Sequence, residues 1–205
     1  MPKSFIARSA FILCLALIVA AAAFIGMKFF DQSPSNKQAR ALIGGPFNLV
    51  DHTGKDVSEK DFQGKYMLIY FGYTYCPDVC PTSLTLLSEA MDIVEAKDAA
   101  LAKLITPVFI TVDPERDTVS AIKDYVENFY PTMVGLTGTT EQVSAAAKAF
   151  RVFYQKAEVE DSNDYLMDHS SITYLIGPDS LYSKHYGHGT GPDEMATSML
   201  EILSQ

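Results

Sequence analysis

The stretch that most limits the fold is Tyr66–Phe71 (YMLIYF) together with the segment after it, Gly72-Tyr73-Thr74-Tyr75-Cys76-Pro77-Asp78-Val79-Cys80-Pro81. A short, unbroken apolar run suits a central strand covered on both faces. Leu84, Leu87, Met91 and Val94 then recur at helical spacing, so a helix is predicted over Thr82–Lys97. Both cysteines therefore lie where a buried strand hands over to a long helix. Each precedes a proline, which pushes it away from helical backbone angles. Regular helix is thus predicted to start at Pro81, with Cys80 at its mouth and Cys76 on a loop. The partial positive charge of a helix start favours thiolate there, the species that binds soft metals or attacks disulfides.

Around this unit the pattern alternates. Phe47–Val50, the DHTGKD turn and Val57 read as a β-hairpin turning near Gly54, and Ile105–Val112 as a second buried strand. Helices are marked by Ile122, Tyr125, Val126 and Phe129, then by Val143, Ala146, Ala147 and Phe150, with a short strand between them at Met133–Leu136. Ile172–Ile176 and Leu181–Tyr186 form an antiparallel hairpin through Gly177-Pro178-Asp179, and a last helix is entered at Pro192. Helix-linked strands pair in parallel with right-handed crossovers, while hairpins add antiparallel strands. The expectation is an α/β, thioredoxin-like domain over residues 44–205: a mixed central sheet flanked by helices, with the cysteine pair where the first central strand meets the first long helix.

Ahead of it, Ala10–Met27 is uncharged throughout. At ~1.5 Å per residue it reaches roughly 27 Å, near a bilayer core. Lys3 and Arg8 precede it with no acid nearby, which orients residues 1–9 to the cytoplasm. Ala20–Ala23 leave a cleaved signal peptide as the alternative, but the run exceeds the ~7–15 residues of a usual signal core. The expectation is an anchor at 10–27, a polar linker at 28–43 and a single pass through a bacterial inner membrane, with the C-terminal domain in the periplasm. With nine residues ahead of the span in this sequence, a long organelle-targeting peptide is not expected. Net charge is −9, and beyond residue 30 the chain holds 13 basic against 25 acidic residues. That balance argues against nucleic acid as a partner.

With three cysteines, one of them (Cys14) inside the apolar run, a disulfide-stapled scaffold is excluded, and Cys76 and Cys80 read as chemistry. Three residues separate them, one more than in thioredoxin-type redox motifs, a spacing that lets both sulfurs face one ion. His169 precedes the Ile172–Ile176 strand, on a loop that in a thioredoxin-like fold faces the cysteines. Asp168 and Ser170 are placed to orient its ring, and Asp78, between the cysteines, is a further supporting residue. Structural zinc usually takes four protein ligands, whereas two thiolates and an imidazole suit Cu(I), and Cu(II) with a further ligand. His52 reads as a solvated turn residue. His185 and His188, three apart on a strand, face opposite sides. Asp113–Thr118 reads as a loop with a helix cap at Asp117 or Thr118 and a local ion pair, or as an acidic lip for a partner. No P-x-x-x-T-x-x-C arrangement precedes Cys76, which disfavours a thiol peroxidase.

Three motifs, FGYTYCPDVCP (Phe71–Pro81), VDPERDT (Val112–Thr118) and DHSS (Asp168–Ser171), together resemble the Sco/SenC family of copper-binding proteins. The resemblance covers nearly the whole chain. It implies copper ligands at Cys76, Cys80 and His169 and a role in assembling the CuA centre of cytochrome c oxidase. Its implied partners are the CuA-bearing subunit and another copper carrier protein. Some members are thought to act instead as thiol-disulfide reductants or redox sensors, with Cys76 and Cys80 as the redox pair.

Overall fold

Tyr66–Gly72 is the middle strand of the molecule, and Met67–Phe71 are each 2% exposed or less. The computed structural model describes residues 43–158 and 164–204. The anchor expected at 10–27 and nearly all of the linker at 28–43 lie outside the described residues. Among the described residues no helix is long and apolar enough to cross a membrane.

The strands are β1 (Asn48–Asp51), β2 (Asp56–Ser58), β3 (Tyr66–Gly72), β4 (Ile105–Thr111), β5 (Val134–Thr137), β6 (Tyr154–Glu158), β7 (Tyr165–His169), β8 (Ile172–Ile176) and β9 (Tyr182–Gly187). The helices are α1 (Val79–Lys97), α2 (Ala99–Ala102), α3 (Val119–Val126), α4 (Thr140–Ala149) and α5 (Pro192–Leu203). Seven strands form one mixed sheet in the order β2-β1-β5-β4-β3-β8-β9. β3, β4 and β5 run parallel, joined through helices, and the hairpin strands at both edges run antiparallel. This is the mixed central sheet flanked by helices that the sequence predicts.

Both faces of the sheet are covered, which is why β3 carries no polar alternation. Phe109 lies level with Tyr70 and meets Tyr125 of α3, with ring centroids 5.3 Å apart. Phe71, on the opposite face, meets Phe150 just beyond α4 at 5.4 Å. The β1–β2 turn is made by Gly54 at φ +87°, a conformation that glycine adopts without steric cost.

Two elements depart from expectation. α1 begins at Val79, two residues before Pro81. Pro81 is then the third helical residue, where its missing N–H removes no intrahelical bond and the carbonyl it would strike lies outside the helix. The bias on pre-proline residues is overridden at Cys80. The second departure is a separate antiparallel ribbon of β6 and β7, which makes His169 the last residue of a strand and not part of a loop.

Candidate metal centre

Topology explains why the three expected ligands meet. β8 runs antiparallel to β3 with Thr173 opposite Tyr70, so the residues just ahead of Ile172 arrive at the end of β3 from which the cysteine loop departs. Among the described residues, one sulfur from each of Cys76 and Cys80 and a ring nitrogen of His169 form a cluster within 4.8 Å of one another that could hold a metal ion. Cys80 Sγ lies 3.3 Å from His169 Nε2.

Each donor is set by its surroundings. Cys80 is fully buried in the first turn of α1, behind Gly72. A Cβ on Gly72 would come 2.9 Å from the Cys80 sulfur and 2.9 Å from the Tyr70 ring, so the residue there must be glycine for that sulfur to sit where it does. Cys76 is half-buried, and its sulfur accepts the Cys80 backbone N–H at 3.3 Å. It thereby takes the place of a capping side chain. Asp78 holds the N-cap position, yet its carboxylate makes no cap and instead accepts from the Thr82 hydroxyl at 3.3 Å.

The two thiols are free and electrostatically unequal. The Cys80 thiol donating to it draws the Cys76 pKa down to about 3, with His169 and the N–H groups of Cys80 and Asp78 adding to the effect against the cost of burial. The same contact, together with burial, pushes Cys80 up. The arrangement thus favours thiolate at the half-buried Cys76 over the buried Cys80.

The His169 ring is gripped edge-on by Tyr70 at 6.1 Å and Tyr73 at 5.9 Å. Its Nδ1 lies 3.3 Å from the Ser170 carbonyl, a contact that turns the ring so that Nε2 faces the Cys80 sulfur. The ring is therefore oriented by the Ser170 backbone, not by the two side chains expected to do so. The Ser170 hydroxyl accepts from Phe153 N–H, and the Asp168 carboxylate faces Gln155 at 3.4 Å on the exposed side of the ribbon.

The Asp113–Thr118 segment also differs from its expected role. Thr118 does cap α3, accepting from Ala121 N–H. Asp113 and Asp117, however, are buried, so the segment is no acidic lip. Asp117 accepts from Thr74 N–H at 3.1 Å, Thr74 Oγ1 at 2.6 Å and Thr111 Oγ1 at 2.6 Å, tying the cysteine loop to the end of β4. Burial raises its pKa, and those bonds only partly offset that. The signal that could have found Asp117 is its place in the loop that follows a buried strand parallel to the one that feeds the cysteines.

The remaining histidines stay apart from the centre. His52 is not merely solvated: Nδ1 accepts Gly135 N–H at 3.0 Å and ties the first hairpin to β5. His185 pairs with Tyr182 and His188 with Ser83, so these two share no site.

A family model described as SCO1/SenC matches residues 35–204. The chain belongs to that family. SCO1/SenC relatives include human "Protein SCO1 homolog, mitochondrial", 40% identical over 195 residues, covering 91% of this chain and 64% of the human protein. The chain thus spans less than two thirds of that relative. Among solved SCO1/SenC structures, Arabidopsis thaliana ScoI with copper bound is 43% identical with a TM-score of 0.74, covering 80% of this chain and 99% of that one. Bradyrhizobium japonicum ScoI with copper bound is 40% identical with a TM-score of 0.69, covering 78% and 98%.

Proposed function

We propose that this chain is a membrane-anchored copper carrier that holds one copper ion at Cys76, Cys80 and His169 and hands it on during assembly of the CuA centre of cytochrome c oxidase. The observation that carries the reading is the donor set, two sulfurs and one imidazole nitrogen converging within 4.8 Å. Soft thiolates with a single imidazole favour Cu(I), and Cys76, half-buried where Cys80 is fully buried, gives an incoming ligand the more accessible sulfur to displace first. Copper bound in the Arabidopsis and Bradyrhizobium structures supports the same reading. Residues 10–27 would anchor the chain in a bacterial inner membrane with the domain in the periplasm, a proposal based on the uncharged run and the basic residues ahead of it. The recipient would be the CuA-bearing subunit, and the donor another copper carrier. Cu(I) titration of the full chain in detergent tests the reading. It predicts one equivalent bound, lost in Cys76→Ser and in His169→Ala, and undiminished binding in both variants would sink it.

The unequal thiols favour a second reading, reduction of a partner's disulfide. The Cys76 thiolate would attack one partner sulfur, and the other would leave as a thiolate. Cys80, once deprotonated, would then attack the mixed disulfide, leaving Cys76 and Cys80 joined and both partner sulfurs reduced. This chemistry needs no third soft donor. Oxidase assembly that survives His169→Ala but fails in Cys76→Ser would select it over copper transfer.

A further inference from the structure

The ligands of the centre come from two elements that share no backbone pairing: the cysteine loop with α1, and the β6–β7 ribbon that ends at His169. A two-stranded ribbon is marginal by itself, and this one exposes much of both strands. Its seating against the rest of the domain bears on where the imidazole points, alongside the Ser170 carbonyl and the Tyr70 and Tyr73 rings.

Arg116 stands between the two elements. Its guanidinium lies 3.7 Å from the centre of the Tyr165 ring on β7, 4.8 Å from that of Tyr75 and 5.8 Å from that of Tyr73 on the cysteine loop. Nη1 donates to the Tyr165 carbonyl at 2.9 Å. Nε pairs with buried Asp113, whose other carboxylate oxygen accepts the Tyr165 hydroxyl at 2.8 Å. Tyr165 is therefore held at its ring face, its hydroxyl and its carbonyl by one Asp–Arg pair. The same guanidinium also lies near the rings of Tyr73 and Tyr75, just ahead of Cys76.

We infer that Arg116, set by Asp113, is a positioning residue for the metal centre: it clips the histidine ribbon to the cysteine loop and fixes the angle at which His169 meets the sulfurs. Arginine is needed because one planar fork must donate along its edge while stacking across its face. Lysine supplies the charge without the plane.

This inference rests on the copper reading, so the experiment separates the two. Full-length wild type, Arg116→Lys and the double variant Asp113→Asn/Arg116→Gln, which removes the Asp113 charge together with its partner, are compared. Cu(I) affinity is measured by competition, the donor shell by X-ray absorption, and ribbon mobility in the metal-free protein by amide exchange. The double variant is expected to bind copper about 10–100-fold more weakly, the usual cost of losing a residue that orients a ligand. Its nitrogen shell should weaken and exchange should quicken across Tyr165–His169, while α1 keeps its protection. Arg116→Lys should fall between the double variant and wild type. A folded double variant with affinity within about twofold of wild type and an unchanged nitrogen shell overturns the clip. If the double variant does not fold, wild-type affinity in Arg116→Lys overturns it. Failure of the wild type to take up copper sinks the copper reading alone, and the exchange comparison then decides the clip.

Discussion

Replacing Asp117 with alanine asks whether the cysteine loop is held from beneath. The carboxylate is fully buried and accepts three hydrogen bonds, two from Thr74 and one from Thr111. A hydrogen bond to a charged group contributes about 1.5–3 kcal/mol. Burial of the charge offsets much of the total, as the raised pKa shows. Alanine removes that cost but strands three donors, giving a net loss of about 2–4 kcal/mol. At about 2–4 °C per kcal/mol for a chain of this size, the melting point should fall by roughly 5–15 °C. Thr74→Val should cost about 1–2 kcal/mol, and the double variant should show a coupling of at least ~1 kcal/mol. Urea and thermal unfolding followed by circular dichroism give all three values. The pH dependence has a definite sign. A folded pKa raised above 3.8 means stability that is fully present below 3.8 and lost as pH rises through the folded value, so the alanine penalty should be larger near pH 4 than at pH 8. A penalty below ~0.5 kcal/mol, or strict additivity with Thr74→Val, would refute the anchoring argument.

Three more outcomes rest on the same geometry. Because Cys76 is drawn down to about 3 and Cys80 is pushed up, iodoacetamide at pH 5 should label Cys76 and leave Cys80 unmodified, as mass spectrometry of the digested protein would read. Gly72→Ala drives a methyl against the Cys80 sulfur and the Tyr70 and Phe109 rings, and should cost ~1–3 kcal/mol in urea unfolding and weaken Cu(I) binding. Gly135→Ala drives a methyl into Ile122 and Val126 and should cost at least as much without touching copper affinity, since it lies under α3.

The parts of the fold legible in the sequence are those in which one physical requirement dictates residue type. β3 has to be apolar on both faces, and Tyr66–Phe71 reads so. The hairpin turns need glycine or proline, and Gly54 and Gly177-Pro178 supply them. The three ligands are legible because thiols and an imidazole are chemically rare and because the strand–loop–helix unit places them. β6 is not legible: Tyr154–Glu158 (YQKAE) is polar on most positions, since the ribbon covers little core, and no alternation marks it. The start of α1 escapes the sequence because the pre-proline bias is statistical and a first-turn proline costs a helix little. Asp113 and Asp117 look like surface charge, since sequence cannot show that Arg116, Thr74 and Thr111 close over them. His169 is found by type, but the group orienting it is a backbone carbonyl, which carries no signature in the residue letters.

The most direct test of the metal centre is X-ray absorption at the copper edge on the full-length chain loaded with one equivalent of Cu(I). The three converging side chains predict a shell of two sulfurs and one nitrogen, with the nitrogen lost in His169→Ala and a sulfur lost in Cys80→Ser. A sulfur-only shell in the wild type, or a nitrogen signal that survives His169→Ala, would contradict the account.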